Sequence, residues 1–312
     1  MKQGKIVVVM GGPSSEAEVS RRTGAAIVSA LESKGYAVEG MELDPPNFAE
    51  AIRKSDCAIV FNALHGRYGE DGVLQGTLDM LGIPYTGSGV LAAAVTMDKV
   101  MSKRVFLGAG ISTPRSETFH RFEFDAELSS RIRKAFSLPV VIKASSQGSS
   151  IGVAIVEREG ELEAALKDAF RYDEEVLVEE FIRGKELTVA VWGDAREAQA
   201  FPVIEITTVS GRYDYASKYT KGASTHIIPA RIPADVTERV QQLAVDAFRA
   251  CGCCGVARAD MMLGEDMTPY VIEINSMPGM TETSLVPDAG RAMGVEFPEL
   301  CERILEMAGY EK

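Results

Sequence analysis

Residues 140 to 156 read VVIKASSQGSSIGVAIV: a β-branched run carrying Lys143, a loop of serines and glycines, and a second β-branched run after Gly152. In a Walker loop the lysine follows the glycines and opens a helix. Here the lysine comes first and strand residues resume beyond the loop, so the segment is predicted to join two strands. The loop is then either a phosphate cradle or a flexible turn between them.

Around this loop, residues 97 to 183 read as a small α+β unit. Helices are predicted over Met97 to Leu107, Glu127 to Phe136 and Glu161 to Tyr172, with strands in "LPVVIKA", "GVAIV" and "EVLVEEFI". Upstream, residues 1 to 96 alternate: "KIVVVM" as strand, Glu16 to Ser33 as helix, "YAVEGMEL" as strand, "FAEAIRK" as helix and "CAIVFNA" as strand. "VLQGTLDMLGIPYTGSG" repeats the helix, loop and short strand. Such alternation implies a Rossmann-like parallel sheet with crossover helices. Downstream, residues 184 to 312 carry "ELTVAVWG", a polar loop from Thr208 to Thr225, "HIIPARI", a long helix near Ala234 to Ala250, "GVARADMML", "PYVIEIN" and two closing helices. The expected class is mixed α/β, in two or three domains.

The strongest chemical signal lies in "ARADMMLGEDMTPYVIEIN", residues 257 to 275. Two strands flank a short loop, and pairing Leu263 with Tyr270 sets Asp260 opposite Glu273 and Arg258 opposite Asn275. Side chains two apart on a strand share a face, so all four meet on one side. Directly opposed carboxylates repel, and a bound cation resolves the conflict. Asp, Glu and Asn are hard oxygen donors, and a site with few protein ligands that also accepts phosphate oxygens suits Mg²⁺ better than zinc. The plainer alternative is a salt-bridged hairpin in which Arg258 neutralises both acids.

"NSMPGMTETSLVP" follows, with a sharp turn at Pro278 and Gly279 and a helix cap expected between Thr281 and Ser284. Backbone N–H groups at such a turn can hold an oxyanion. Near the N-terminus, "VVVMGGPSSEAEVS" has two glycines after a strand, but the full G-x-G-x-x-G of a dinucleotide site is missing. Glu16 falls at that strand's carboxyl end, where open α/β sheets bind ligands, and a carboxylate there suits an ammonium group. His65, in "NALHGRYGEDG", falls on the same edge, whereas His120 and His226 read as surface residues.

The formal net charge of -12 disfavours nucleic acid and anionic membranes as partners. The apolar run at the N-terminus, Ile6 to Met10, is too short for a signal-peptide core, so a cytoplasmic protein is expected. "CGCCG", with Cys251, Cys253 and Cys254, has no partner pair at zinc spacing and reads as buried filler, as do Cys57 and Cys301.

Taken in order, "GGPSSEAEVS", "LHGRYGEDGVLQG", "TMDK", "IKASSQGSSIGV", "VEEFIRGKELTV", "YDYASKY", "ARADMML" and "EINSMPGMTETSLVP" resemble the D-alanine–D-alanine ligases of the ATP-grasp superfamily over nearly the whole chain. The resemblance implies an ATP-grasp fold: a Rossmann-like substrate domain (1–96), a central lid domain (97–183) and a C-terminal domain (184–312) with the metal site and second-substrate site. It implies an ATP-dependent ligation of two D-alanines through an acyl phosphate for peptidoglycan precursors, with two Mg²⁺ ions (or Mn²⁺), in a cytoplasmic homodimer.

Residue by residue, Lys99 and Lys143 resemble the phosphate lysines and the Ser149/Ser150 loop the lid. Glu179, Phe181, Ile182, Glu186 and Met262 resemble the adenosine pocket, and Asp260, Glu273 and Asn275 the metal ligands. Glu16 would hold the first ammonium, with Ser149 and Tyr219 bonded to it and Lys218 facing phosphate. Arg258 and the Gly279 N–H would stabilise the oxyanion, and Ser284 and Leu285 would seat the second D-alanine, with His65 also at the substrate. The runner-up is a D-alanine–D-lactate or D-alanine–D-serine ligase. "YASKYTKG" keeps a Lys-Tyr pair that lactate-using relatives typically lack, which favours an amine acceptor. A nucleotide-binding module without catalysis and a Rossmann oxidoreductase are the remaining alternatives.

Overall fold

The computed structural model describes residues 4–125, 127–148, 151–208, 223–281, 284–310 and 312. Its first sheet is parallel in the order β2-β1-β3, from β1 (Lys5–Met10), β2 (Ala37–Glu42) and β3 (Cys57–Asn62). The crossovers are α1 (Ala17–Ser33) and α2 (Phe48–Lys54). β1 is apolar on both faces because helices cover both: Ile6 and Val8 meet α1 residues Ile27 and Leu31, while Val7 and Val9 meet Phe48 and Ile52 of the other core. The short strand expected after α3 (Val73–Leu81) is reduced to an isolated parallel bridge between Val60 and Tyr85.

The helix expected over Met97 to Leu107 is α5 (Lys99–Gly108), and a further helix that the sequence reading did not identify, α4 (Val90–Met97), comes before it. Asp98 is extended, and its side chain accepts the N–H groups of Val100 and Met101, so it caps the second helix and ends the first. Ala92, Phe106 and Ile111 belong to the core of the third sheet. The expected boundary at residue 97 therefore falls between two helices that pack with the C-terminal part of the chain.

The second sheet is antiparallel, order β4-β7-β5-β6, from β4 (Ser116–His120), β5 (Val140–Ala144), β6 (Val153–Val156) and β7 (Glu175–Glu180). The β5–β6 pair confirms that the glycine–serine loop is strand-to-strand. Helices α6 (Leu128–Ala135) and α7 (Leu162–Ala169) close its core with Leu128, Ile132, Leu162 and Leu166.

The third sheet runs β11-β10-β8-β12-β13 with β9 on β8, from β8 (Gly184–Gly193), β9 (Gln199–Ala200), β10 (Ile204–Thr208), β11 (Ser224–Ile227), β12 (Gly255–Gly264) and β13 (Pro269–Asn275). Sequence reading did not identify β9 and β10. Helix α8 (Ala234–Ala250) lies against this sheet, and α9 (Leu285–Ala292) and α10 (Phe297–Glu306) pack their apolar faces with α1 and β1 in one shared core. Trp192 of β8 stands edge-on to Phe201 (4.7 Å between ring centroids) under the Arg303 guanidinium, which gives this tryptophan a packing role. Cys251, Cys253 and Cys301 are buried, and burial pushes the Cys251 and Cys301 thiols up to about 12, so they stay protonated as small apolar groups.

Candidate active site

The β12–β13 hairpin places Asp260 opposite Glu273 and Arg258 opposite Asn275. These two pairs keep the expected register, which changes by one residue beyond them toward the hairpin loop. Leu263 pairs with Pro269, not Tyr270, and the ladder shifts between Asp260 and Met261. An extra residue, Ile272, is accommodated there, and it resets the alternation along β13. Val271 is buried, Ile272 and Glu273 are both half-buried, and Ile274 is buried again. A regular strand would turn Glu273 into the core; the bulge returns it to the open face. On β12 the alternation is unbroken, with Arg258, Asp260 and Met262 outward and Ala259, Met261 and Leu263 inward.

Across this face Arg258 donates to both oxygens of Asp260 (2.7 and 2.6 Å), and the Thr188 hydroxyl donates to Asp260 Oδ1 (2.7 Å). Glu273 ion-pairs with Lys99 at 3.5 Å. The salt-bridge alternative expects Arg258 to neutralise both acids; Arg258 bonds Asp260, while Glu273 pairs with Lys99 of α5. Among the described residues no three His, Cys, Asp or Glu side chains gather as a metal site. Two carboxylates and the Asn275 amide fit Mg²⁺ as a hard cation that completes its shell with phosphate oxygens and water.

Glu70, Lys99, Gly148, Glu273 and Asn275 line one cavity. Lys99 Nζ also donates to the Gln147 carbonyl (2.7 Å), which ties α5 to the glycine–serine loop. On the far side of that loop stands Glu16, the residue before α1: a Cβ added to Gly148 would lie 2.8 Å from its Oε2, and one on Gly66 3.0 Å. A side chain at either position would displace the Glu16 carboxylate. Ser14 bridges the same edge, since its hydroxyl donates to the His65 carbonyl (2.8 Å) and accepts the Glu16 N–H (3.1 Å). The buried His65 ring contacts Thr23 Oγ1 through Nε2 (3.1 Å) and Glu70 Oε1 through Nδ1 (3.3 Å).

A second cluster is Glu179 on β7, 1% exposed, between Lys143 (2.5 Å) on β5 and Lys103 (2.6 Å) on α5. Burial raises the Glu179 pKa, but the two ammonium groups outweigh it and hold the carboxyl below its usual range. Lys103, 3% exposed, also donates to Thr113 Oγ1 and the Pro114 carbonyl. Sequence reading overlooked it; its position four residues after Lys99 on one helix was the available signal. Phe181, Ile182 and Glu186 are half-buried, and Glu186 pairs with Met262 across the β8–β12 ladder, one step from Asp260.

At the start of α9 a side chain on Gly279 would come 3.1 Å from Ser284 Oγ. Ser284 does not cap the helix with its hydroxyl, because that oxygen is taken by Thr281, through its N–H (3.0 Å) and hydroxyl (2.8 Å). Leu285 is buried in the core shared with α1. His226, read as a surface residue, bonds Asp288 of α9 at 2.6 Å, whereas His120 is partly exposed beside Glu175 (3.4 Å). Ser149, Ser150, Lys218 and Tyr219 lie outside the described residues.

The two-glycine turn after β1 is occupied internally. The Gly11 N–H donates to Ser20 Oγ (2.8 Å) and the Gly12 N–H to Glu42 (3.1 Å). Neither is offered to a dinucleotide phosphate.

Comparison with known proteins agrees over the whole length. The family model described as D-ala D-ala ligase C-terminus matches residues 105–306, and that described as D-ala D-ala ligase N-terminus matches residues 37–88. The D-alanine–D-alanine ligase of Moorella thermoacetica is 48% identical over 307 residues, covering 97% of this chain and 99% of its own. The D-alanine–D-alanine ligase of Bacillus anthracis complexed with ATP superposes with a TM-score of 0.84 at 34% identity, covering 98% of this chain and 97% of its own. The VanG D-Ala:D-Ser ligase of Enterococcus faecalis gives 0.83 at 31%, covering 98% and 99%.

Proposed function

This chain belongs to the D-alanine–D-alanine ligase family, and from that premise we propose how its residues join two D-alanines at the expense of ATP. The observation that carries the assignment of roles is the convergence of Glu273, Asn275, Lys99 and Gly148 around one cavity, with Glu16 against the other side of Gly148. An oxygen-rich face for a metal-bound triphosphate thus lies beside a carboxylate suited to an amino acid's ammonium.

A carboxylate is a poor acylating agent until its oxygen is made a leaving group. The first D-alanine, its ammonium on Glu16, attacks the γ-phosphorus of ATP; ADP departs and D-alanyl phosphate forms. Lys99 and Lys143 spread the developing phosphate charge. Asp260, Glu273 and Asn275 would hold Mg²⁺ or Mn²⁺, which when bound supplies Lewis-acid neutralisation of phosphate oxygens. The second D-alanine, seated by Ser284 and Leu285, attacks the acyl carbon with its free amine. Arg258 and the Gly279 N–H hold the tetrahedral oxyanion in a preorganised site, and its collapse expels phosphate. Glu179, Phe181, Ile182, Glu186 and Met262 take the adenosine, His65 fixes the substrate loop, and Ser149, Ser150, Lys218 and Tyr219 complete the closed site.

The product serves peptidoglycan synthesis, and the enzyme works in the cytoplasm as a homodimer. Among the described residues no helix is long and apolar enough to cross a membrane. The dimer reading is supported by large apolar side chains left exposed on the adjoining helices α3 and α4: Met80 at 89%, Leu91 at 73% and Val73 at 50%. The catalytic proposal is tested by phosphate release with ATP, Mg²⁺ and D-alanine, with D-lactate and L-alanine as comparators. Release that requires D-alanine, with D-alanyl-D-alanine as product, is expected; folded enzyme that shows none refutes it.

A further inference from the structure

The base of the glycine–serine loop is gripped from outside by one turn. Asp173, beyond α7, accepts the Ser146 backbone N–H (2.8 Å) and hydroxyl (3.2 Å), and the Gln147 side-chain amide lies 3.4 and 3.5 Å from its two oxygens. The residue before it meets the loop's other limb: a side chain on Gly152 would come within 3.1 Å of the Tyr172 ring. Asp98, the cap of α5, takes the Ser145 hydroxyl at 2.8 Å. The residues that follow this grip are the ones that touch the site, for Lys99 donates to the Gln147 carbonyl and Gly148 lies against the Glu16 carboxylate.

We propose that Asp173 is a positioning residue for the ligase reaction, fixing the Gln147–Gly148 backbone so that Lys99 and Glu16 are held in one register around the acyl phosphate. The inference rests on the ligase function above. Asp173 is not among the residues that line the cavity. Its bonds to Ser146 are charge-assisted and so among the stronger ones available to a loop. When they are lost, Gln147 and Gly148 no longer wall the cavity, and water reaches the intermediate. A water oxygen then bonds to the acyl carbon, the carbon–oxygen bond to phosphate breaks, and D-alanine and inorganic phosphate are released. ATP is spent with no peptide bond formed.

The test measures phosphate and D-alanyl-D-alanine together, with the KM for ATP, in wild type, Asp173→Ala, Asp173→Asn, Asp173→Ser and Ser146→Ala. Wild type is expected to release one phosphate per dipeptide. Asp173→Ala should raise the KM for ATP about tenfold, as loss of hydrogen bonds to a charged group does, and release phosphate in excess of dipeptide. Asp173→Asn, which keeps an acceptor for the Ser146 N–H, should recover most of both. Wild-type KM and stoichiometry in Asp173→Ala overturn the proposal. So does a fall in kcat alone at unchanged stoichiometry, the mark of a merely structural role. If Asp173→Ala does not fold, Ser146→Ala, which loses the hydroxyl bond and keeps the N–H bond, should show the same two changes at smaller size, and Asp173→Ser, which removes the carboxylate, carries the deciding result: unchanged stoichiometry and KM there overturn the proposal as well. A wild-type enzyme with no D-alanine-dependent phosphate release refutes the ligase function itself, and the inference with it.

Discussion

Glu179 remains ionised in the interior because two lysines from different elements reach it, Lys143 from the second sheet and Lys103 from α5. Burial alone drives Lys103 toward its neutral form, and its pKa is lowered, so the trio holds together only as a unit. Replacing Lys103 with Met keeps the stem but leaves Glu179 with one cation. Breaking a buried pair in this way costs about 3–5 kcal/mol, and since Lys143 remains, about 2–3 kcal/mol is expected in urea unfolding, with a raised KM for ATP. A loss under about 0.5 kcal/mol, the range of an ordinary surface substitution, would show that Lys103 does not hold the carboxylate. Glu273→Gln makes the contrasting case. The side chain is half-buried and near isosteric, so circular dichroism should be unchanged while turnover is abolished; retained turnover would remove Glu273 from the metal site. Of these residues, Glu273 and Asp260 were legible because the register that holds from Arg258 and Asn275 sets them opposite each other. Lys103 was not, because a lysine inside a helix reads as solvated unless its tertiary partner is known.

At the level of elements, β10 illustrates why part of the third sheet was illegible. Its Glu205 is buried on a strand, which a sequence pattern alone does not suggest, and three donors make it tolerable: the Arg231 guanidinium (2.8 Å) and backbone N–H (3.0 Å), and Lys185 (3.0 Å). The Arg231 hydrogen bonds first, partly opposed by burial, then Lys185, take the Glu205 carboxyl down to about 2 from 4.5. A carboxyl depressed on folding stabilises the protein above its unfolded pKa and loses that contribution as pH falls toward the folded one. The shift corresponds to about 3 kcal/mol, and the exposure of Arg231 reduces it through solvent screening to about 1–2 kcal/mol. Glu205→Gln should therefore be less stable than wild type by that amount at pH 7, and the gap should close between pH 4.5 and pH 2. A gap independent of pH would assign the effect to packing instead. The β13 bulge was hidden for a related reason. One extra residue in a short strand leaves the hydrophobic pattern nearly intact, so the expected pairing of Leu263 with Tyr270 was off by one where Asp260 and Glu273 were not.

Across the whole molecule, three sheets meet at the cavity, where Lys99 joins Gln147 of the second sheet's loop to Glu273 of the third and Gly148 of that loop lies against Glu16 of the first unit. The outer surface of the first unit carries a different kind of feature. Single exposed apolar residues are ordinary on a soluble protein, but Val73 and Met80 lie two turns apart on α3, and Leu91 is on α4, whose Val90 packs beside Gly72 and Gly76 of the α3 region. Their exposure on two packed helices is what an isologous contact between copies would cover, since a two-fold axis brings the same patch onto itself. Fully burying each such side chain stabilises by about 1.5–3 kcal/mol, enough for a few positions to decide assembly. Met80→Glu with Leu91→Glu places charges at the proposed contact, on exposed side chains that carry no assigned part in the reaction. Sedimentation should show wild type as a dimer and the double variant as a monomer with unaltered circular dichroism. A wild type that sediments as a monomer at micromolar concentration, or a double variant that remains dimeric, removes α3 and α4 from the interface.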